Sequence, residues 1–289
     1  MNKDFDDIRR LAADIRIQTI RQMETFGAGH IGGCMSVADV LAVLYGRIMR
    51  FDSNEPNMEN RDKLVMSKGH CGPALYATLA LRGFFPMEWL DTLNQGGTRL
   101  PSHCDRNKTP GIDASTGSLG QGISIACGFA QANAMKKLDI MTYCIVGDGE
   151  MQEGQVWEAI EFAAHRKLDH LVVLVDNNKM QLDGYVEDIC KTYSISKKLE
   201  AFGFETDEVA GYDVEAIYRA LEKMKQERNN SIPKALILNT KKGIGCTFAE
   251  VAPKCHHMTV SKDEADNAIA EIERRLAEGL TPGGEKYAD

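Results

Sequence analysis

Two polar clusters, Gly147-Asp148-Gly149 and Asp176-Asn177-Asn178, each close a run of apolar residues, Met141 to Val146 and Leu171 to Val175. Strands that read as continuous apolar runs are those buried on both faces of a sheet, and a helix starting at about Glu153 fits between these two. Strand, helix and strand in this order form a β-α-β unit, right-handed with few exceptions. Both clusters must then leave one parallel sheet at the same carboxyl edge, where open α/β sheets bind ligands.

The rest of the chain extends this pattern. Further strands are expected at 63–67, 205–210 and 235–240, and helices at 4–25, 72–82, 87–93, 119–136, 154–167, 213–227 and 261–278. Ser36 with Asp39 resembles a capping box that opens a helix through Ile48. The 119–136 helix is rich in small residues (Gly122, Ala126, Gly128, Ala130, Ala132, Ala134), which suits close packing against another backbone. Strands alternating with helices indicate an α/β fold, a doubly wound parallel sheet with helices on both faces. No long linker, repeat or low-complexity stretch divides residues 1–289, which read as a single domain.

Net charge narrows the partners. At -8, with no dominating Lys/Arg block, the chain is not built for nucleic acid or an anionic membrane. The eight cysteines have no CxxC spacing and read as reduced thiols, the amino terminus is charged and helical in period rather than signal-like, and no apolar stretch approaches membrane-spanning length. A soluble, cytoplasmic protein is expected.

The two clusters have a definite chemistry. Asp148 offers one carboxylate, Asn178 an amide oxygen, and a nearby main-chain carbonyl, taken as that of Met180, a third hard oxygen. Magnesium prefers six oxygens and usually takes the remainder from phosphates and water, so the implied ligand is a metal-bridged diphosphate, with calcium or manganese able to replace magnesium. Gly147 and Gly149 allow close approach of the backbone and positive φ if required, and the amino end of the next helix supplies N–H groups and a favourable dipole.

Gly147-Asp148-Gly149 followed at this distance by Asn177-Asn178 resembles the thiamine diphosphate signature, and GDGEMQEGQVWEAIEFAAHRKLDHLVVLVDNNKMQLDG is similar to the cofactor-binding domain of transketolases. GHIGGCMS at 29–36, MSKGH at 66–70, STGSLGQG at 115–122 and NTKKGIG at 239–245 resemble further transketolase segments in the family's order. The resemblance implies a transferase of carbohydrate metabolism that moves a two-carbon ketol unit from a ketose, commonly a sugar phosphate, to an aldose through thiamine diphosphate. It assigns His30 and His256 to proton transfer on sugar hydroxyls, His103 to orienting the donor, and His70 to a place against the cofactor. Gly117, Ser118 and Leu119 match the segment that contacts the pyrimidine, Lys242 a lysine near the diphosphate, and Gly149 and Glu153 the cofactor-binding turn. Glu153 and Glu158 also match positions of a carboxylate network at the family's dimer interface, although first-turn glutamates are favoured by the helix dipole in any protein. His165 and His170, at a helix end and before a strand, read as structural.

Two departures bear on the substrate. The family commonly has Gly-His-Pro where this chain has Pro101-Ser102-His103-Cys104, and often Trp-His where it has Cys255-His256-His257, so that either His256 or His257 is the active imidazole. Both changes reshape the sugar pocket. Specialised members acting on apulose 4-phosphate or 6-deoxy-6-sulfofructose stay open. Full-length transketolases resemble this chain only in their first part, which implies a separately encoded partner carrying the pyrimidine-binding and carboxy-terminal domains, in a heterotetramer with two copies of each chain.

Other readings are weaker. Gly27-Ala28-Gly29-His30-Ile31-Gly32 formally fits GxGxxG but follows an amphipathic helix, whereas a dinucleotide fingerprint follows a strand. No Walker sequence occurs, and no HxxxH or Cys–His spacing supports a closed zinc site. Deoxyxylulose-phosphate synthase or a 2-oxoacid decarboxylase component would share the cofactor, but MSKGH and STGSLGQG look more like transketolase. A non-catalytic homologue would have no need of Asp148, Asn178 and the four loop histidines.

Overall fold

The apolar runs become the middle of a five-stranded, all-parallel sheet in the computed structural model, which describes residues 3–182, 184–251 and 254–287. In chain order the strands are β1 (Lys63–Met66), β2 (Thr142–Gly147), β3 (Leu171–Asn177), β4 (Glu205–Ala210) and β5 (Lys234–Asn239), and in space they run β1-β2-β3-β5-β4. The central pairs place Gly147 beside Asp176 and Asn177 beside Asn239, so the two polar clusters end level at one edge.

Alternate residues of each strand enter two separate cores. Tyr143, Ile145, Val172, Leu174, Leu236 and Leu238 face one layer, formed by α1 (Asp6–Phe26), the helical stretch 31–48, the helix Gly72–Leu81, α4 (Val214–Gln226) and α5 (Lys262–Ala277). Cys144, Val146, Val173, Val175, Ala235 and Ile237 face the other, formed by α2 (Gln121–Lys136), α3 (Gly154–His165) and the segment 195–204. Each Val, Leu or Ile among these, fully buried, contributes about 1.5–3 kcal/mol, which is why the central strands carry no charged residue before their ends. Edge strand β4 differs: ETDEVA is only partly buried, and its Glu205 pairs at 3.0 Å with the buried Lys234 at the start of β5.

Most expected elements form within a residue or two of their sequence positions, and three depart. Ser36 ends the helix Ile31–Ser36 rather than capping the next; its hydroxyl goes to Gly33 O and to Asp176, while Asp39 is taken by the buried Arg16. The helix through Ile48 breaks into Ala38–Val43 and a wider π turn, Leu44–Ile48. Residues 87–93 form a 3-10 helix, Met87–Thr92. Among the described residues no helix is long and apolar enough to cross a membrane. All eight cysteines are free thiols, and Cys190 is the exposed one.

Candidate active site

Asp148 and Asn178 sit at the tips of the adjacent strands β2 and β3, both buried. Asp148 is held by two backbone donors, Gly149 N to Oδ1 at 2.9 Å and Lys179 N to Oδ2 at 2.6 Å. Asn178 donates Nδ2 to Asp176 Oδ2 at 2.8 Å and accepts at Oδ1 from Met180 N at 3.1 Å. Asp176 Oδ2 also accepts from Ser36 Oγ at 2.7 Å and from the buried ammonium of Lys68. Burial, reinforced by the charge of Asp176, pushes the Asp148 carboxyl up to about 7. The site therefore carries a carboxylate that its surroundings do not fully compensate, and a cation would relieve it.

The turn is built for space rather than for unusual dihedrals. Neither Gly147 nor Gly149 has a positive φ, but a Cβ on Gly149 would lie 2.6 Å from Gln181 Cβ. The amino end of α3 does not follow directly, because a 3-10 turn, Glu150–Gln152, intervenes. Glu150 fastens that turn: its buried carboxylate accepts from Gly147 N at 3.0 Å, Gly120 N at 2.9 Å and the Ser67 hydroxyl. Three loops distant in sequence are thus tied to one side chain.

A second cluster is made by a short antiparallel pairing that local sequence does not announce. Ala28 pairs with Thr259 and Gly29 with Met258, which sets the next residues, His30 and His257, opposite each other. The His30 ring lies 4.8 Å from that of His257, 5.1 Å from His256, 5.5 Å from His70 and 5.6 Å from His103. Burial, then the neighbouring His70 and His257, push His30 down to about 4; burial, then Lys242, push His256 down to about 3. His103 is lowered as well, by burial and His70. These imidazoles are neutral near pH 7 and able to accept protons. Lys242 Nζ lies 3.2 Å from His256 Nδ1 and 2.6 Å from the Leu182 carbonyl, and its own burial lowers its pKa.

Both clusters open into one cleft of ≈ 610 Å³. His30, His70, His103, His256, Gly117, Leu119, Asp148, Gly149, Glu153, Asn178, Met180 and Lys242 line it; Ser118 is exposed and outside the lining. Gly117 reaches it because Gly69 has no side chain: a Cβ there would lie 2.6 Å from the Thr116 carbonyl carbon. Lys68 and Glu150 also line the cleft, and Asp176 lies directly behind Asn178. None of the three is marked as a ligand-site residue by its motif, although Asp176 opens the second polar cluster and a lysine and a glutamate within otherwise apolar or Gly-rich blocks signal buried pairing. Glu158 is exposed on the outer face of α3.

Residues 8–276 match the family described as transketolase, thiamine diphosphate binding domain. The chain is 46% identical over 277 residues to the 6-deoxy-6-sulfo-D-fructose transketolase subunit SqwG of Clostridium sp. (strain MSTE9), covering 96% of this chain and 100% of that one. It is 36% identical over 272 residues to one subunit of the apulose-4-phosphate transketolase of Actinobacillus succinogenes, covering 94% and 98%. The solved transketolase from Leishmania mexicana superposes with a TM-score of 0.85 at 31% identity, over 98% of this chain and 42% of that one. The chain thus spans 98–100% of these two relatives, both described as subunits, and 42% of the solved transketolase chain.

Proposed function

The chain belongs to the transketolase family through its thiamine diphosphate-binding domain, and from that premise we propose that it is the diphosphate-holding subunit of a two-subunit transketolase. One observation carries this: Asp148 and Asn178, side by side on β2 and β3, share a cleft with Lys242 and with His30, His70, His103 and His256. Anion-binding and proton-handling groups line one cavity and meet where Lys242 Nζ lies 3.2 Å from His256 Nδ1.

The donor set fits the metal-bridged diphosphate. Asp148 is a buried carboxylate short of positive charge, and the amide of Asn178 is fixed with its nitrogen on Asp176, leaving Oδ1 on the other side. Among the described residues no three His, Cys, Asp or Glu side chains form a metal cage of their own, which suits a magnesium ion that takes its remaining oxygens from phosphate and water. Asp148, Asn178 and the Met180 carbonyl would hold it, and calcium or manganese would serve in its place. Lys242 complements the diphosphate charge.

Thiamine diphosphate, when bound, supplies the carbanion that accepts the ketol carbons. The chain's own task is to bind, orient and move protons. Lys242 donates to His256 Nδ1, which places the neutral ring's proton on Nε2. His30, lowered to about 4, is unprotonated at neutral pH. His103 and His70 complete the wall beside it, with Gly117 and Leu119 at the pyrimidine end. Neutral imidazoles both accept and donate, as a reaction that makes and breaks a bond beside hydroxyls requires.

A partner chain completes the site. Leu182 and Leu119 on the cleft lining are 67% and 38% exposed, and Tyr185 and Tyr193, which line an adjoining cavity that also reaches Asp148, are 55% and 75% exposed. Apolar groups gathered at the mouth of a site mark a surface that another protein covers. The full-length match to relatives described as subunits supports the same conclusion, and two copies of each chain make the assembly we propose. The donor is a ketose carrying a sulfonate or phosphate, with 6-deoxy-6-sulfofructose placed first because the relative named for it is 46% identical from end to end. Purified chain, assayed alone and with the candidate partner, should transfer ketol units only in the mixture, and most rapidly from the sulfonated donor. Full activity from the chain alone would refute the two-chain assembly.

A further inference from the structure

One buried guanidinium bridges two of the segments that carry the cleft's basic groups. Arg16, on α1, is 2% exposed. Its Nε donates to Ile244 O at 3.2 Å and its Nη2 to Met35 O at 3.3 Å, while Nη1 donates to Asp39 Oδ1 at 3.1 Å and Nη2 also holds Asp39 Oδ2. Met35 lies at the carboxyl end of the helix Ile31–Ser36, which His30 caps; carbonyls there lack an intrahelical donor and favour a cation. Ile244 belongs to the segment 239–245, which carries Lys242.

The same segments are laced together at the backbone. Gly243 N donates to Gly32 O at 2.9 Å and Gly32 N to Cys255 O at 2.9 Å, so Lys242 and His256 each adjoin one of these bonds. Beyond Ile244, Gly245 turns back with a φ of +87°, and a Cβ on it would lie 2.8 Å from Arg16 Nε. Gly245 N donates to Glu250 Oε2 at 3.1 Å, and Glu250 is itself held by Arg275 on α5 at 2.8 Å. The loop behind Lys242 is thus gripped at a carbonyl by Arg16 and at the next amide by Glu250.

Charge alone does not call for an arginine here, since a lysine would neutralise Asp39. The two carbonyls do: a guanidinium presents its donors in a rigid planar fork that reaches several acceptors at once, whereas an ammonium is a point charge on a flexible stem. We propose that Arg16 is a positioning residue, whose fork on Ile244 O and Met35 O keeps Lys242 and His256 in register across the cleft and so sets the affinity for the diphosphate. Arg16 touches neither side chain; it acts on both through the backbone of 242–245, Gly32 and Cys255.

The effect on the cofactor rests on the function proposed above; the hold on the loop does not. The test uses the full chain and two variants. Arg16→Met combined with Asp39→Leu removes both charges together, which a buried pair tolerates far better than the loss of one partner, and Arg16→Lys keeps a charge for Asp39 without the fork. Both should retain a cooperative urea transition near the parent's midpoint. In both, amide hydrogen exchange should quicken roughly tenfold, the scale of one lost hydrogen bond, in peptides covering 30–36 and 239–246, and keep the parent's rate in the central strands. Calorimetry with magnesium and thiamine diphosphate should show affinity falling by a similar factor. A role in packing alone would lower the midpoint and quicken exchange throughout the chain, with the affinity of the folded fraction unchanged. That pattern would overturn the proposal, as would unchanged exchange in the two segments, local quickening with unchanged affinity, or loss of the fold in both variants. If the parent chain fails to bind magnesium and thiamine diphosphate, the functional assignment fails, and local exchange alone decides whether Arg16 holds the loop.

Discussion

Asp176 Oδ2 receives the side-chain amide of Asn178 at 2.8 Å and, on the same oxygen, the ammonium of Lys68. The Lys68 and Asp176 side chains are 3% and 0% exposed, so this ion pair is sealed from water beneath the ligand site. Burial, the largest single effect, disfavours a charged lysine, yet Asp176 with Cys71 and Asp148 together outweigh it and Lys68 stays raised well above its ordinary pKa. Removing one partner of a buried pair strands the other charge, which costs about 3–5 kcal/mol. Asp176→Leu should lose that much in urea unfolding, and Lys68→Met combined with Asp176→Leu should recover most of it. A single variant within about 1 kcal/mol of the parent would mean that water already reaches the pair.

Asp148 poses the opposite balance. Its carboxylate is raised to about 7 by burial and by Asp176, so the side chain suited to holding a cation is a burden to the empty fold. Asp148→Asn should raise the urea midpoint while weakening magnesium and thiamine diphosphate binding at least as much as the roughly 10–100-fold typical of outer-shell changes. Calorimetry on the isolated chain reads the binding without needing a partner. Retained affinity in this variant would remove Asp148 from the metal site.

The sheet and its carboxyl edge were legible because apolar runs interrupted only at their ends have few folds open to them. Ser36 shows where local pattern fails: its spacing to Asp39 is that of a capping box, but Asp176, 140 residues away, and Arg16 claim the two side chains. Tertiary partners of this kind leave no periodic trace. The histidine cluster was foreseen as residues by family resemblance and not as geometry, since the pairing of Gly29 with Met258 is too short to read as a strand. Small residues along α2 also divided unexpectedly. Gly122 meets Ser67 at 2.6 Å from a notional Cβ, whereas Gly128 faces open space.

That division makes a stability test. Alanine is favoured over glycine in a helix by about 1 kcal/mol, so Gly128→Ala should stabilise the chain by a fraction of that amount. Gly122→Ala must push Ser67 backbone away and should destabilise by about 1–3 kcal/mol despite the same gain in propensity. Paired urea titrations decide it, and two variants moving in the same direction would show that β1 and α2 are not packed this closely.

The depressed histidines set a pH dependence. His30 and His256, at about 4 and about 3, are neutral in the folded chain at pH values where the unfolded chain, near 6.5, is protonated. Between these limits the unfolded state binds more protons, so stability rises with pH. It should be complete above pH 6.5 and fall steadily toward pH 4, with the unfolding midpoint following. His30→Gln should flatten part of that slope without altering the plateau. Both rings are partly open to solvent, so the slope should be shallower than two fully buried imidazoles would give.

His256, on the cleft lining, and its neighbour His257 differ in exposure and in contacts. His256 is tied through Nδ1 to Lys242, whereas His257 is exposed and stands nearest to His30, with ring centroids 4.8 Å apart. A side chain at an exposed rim meets the substrate much as it meets the transition state, so its loss should raise KM and leave kcat nearly unchanged. In the reconstituted enzyme His257→Ala should therefore raise the donor's KM several-fold, by roughly the 0.5–1.5 kcal/mol of one hydrogen bond. His256→Ala should lower kcat and cofactor affinity together, because it frees Lys242 and removes a proton carrier. If His257→Ala instead lowers kcat and kcat/KM equally, His257 acts in the transition state, and the imidazole facing His30 across the Gly29–Met258 pairing is the one that moves the proton.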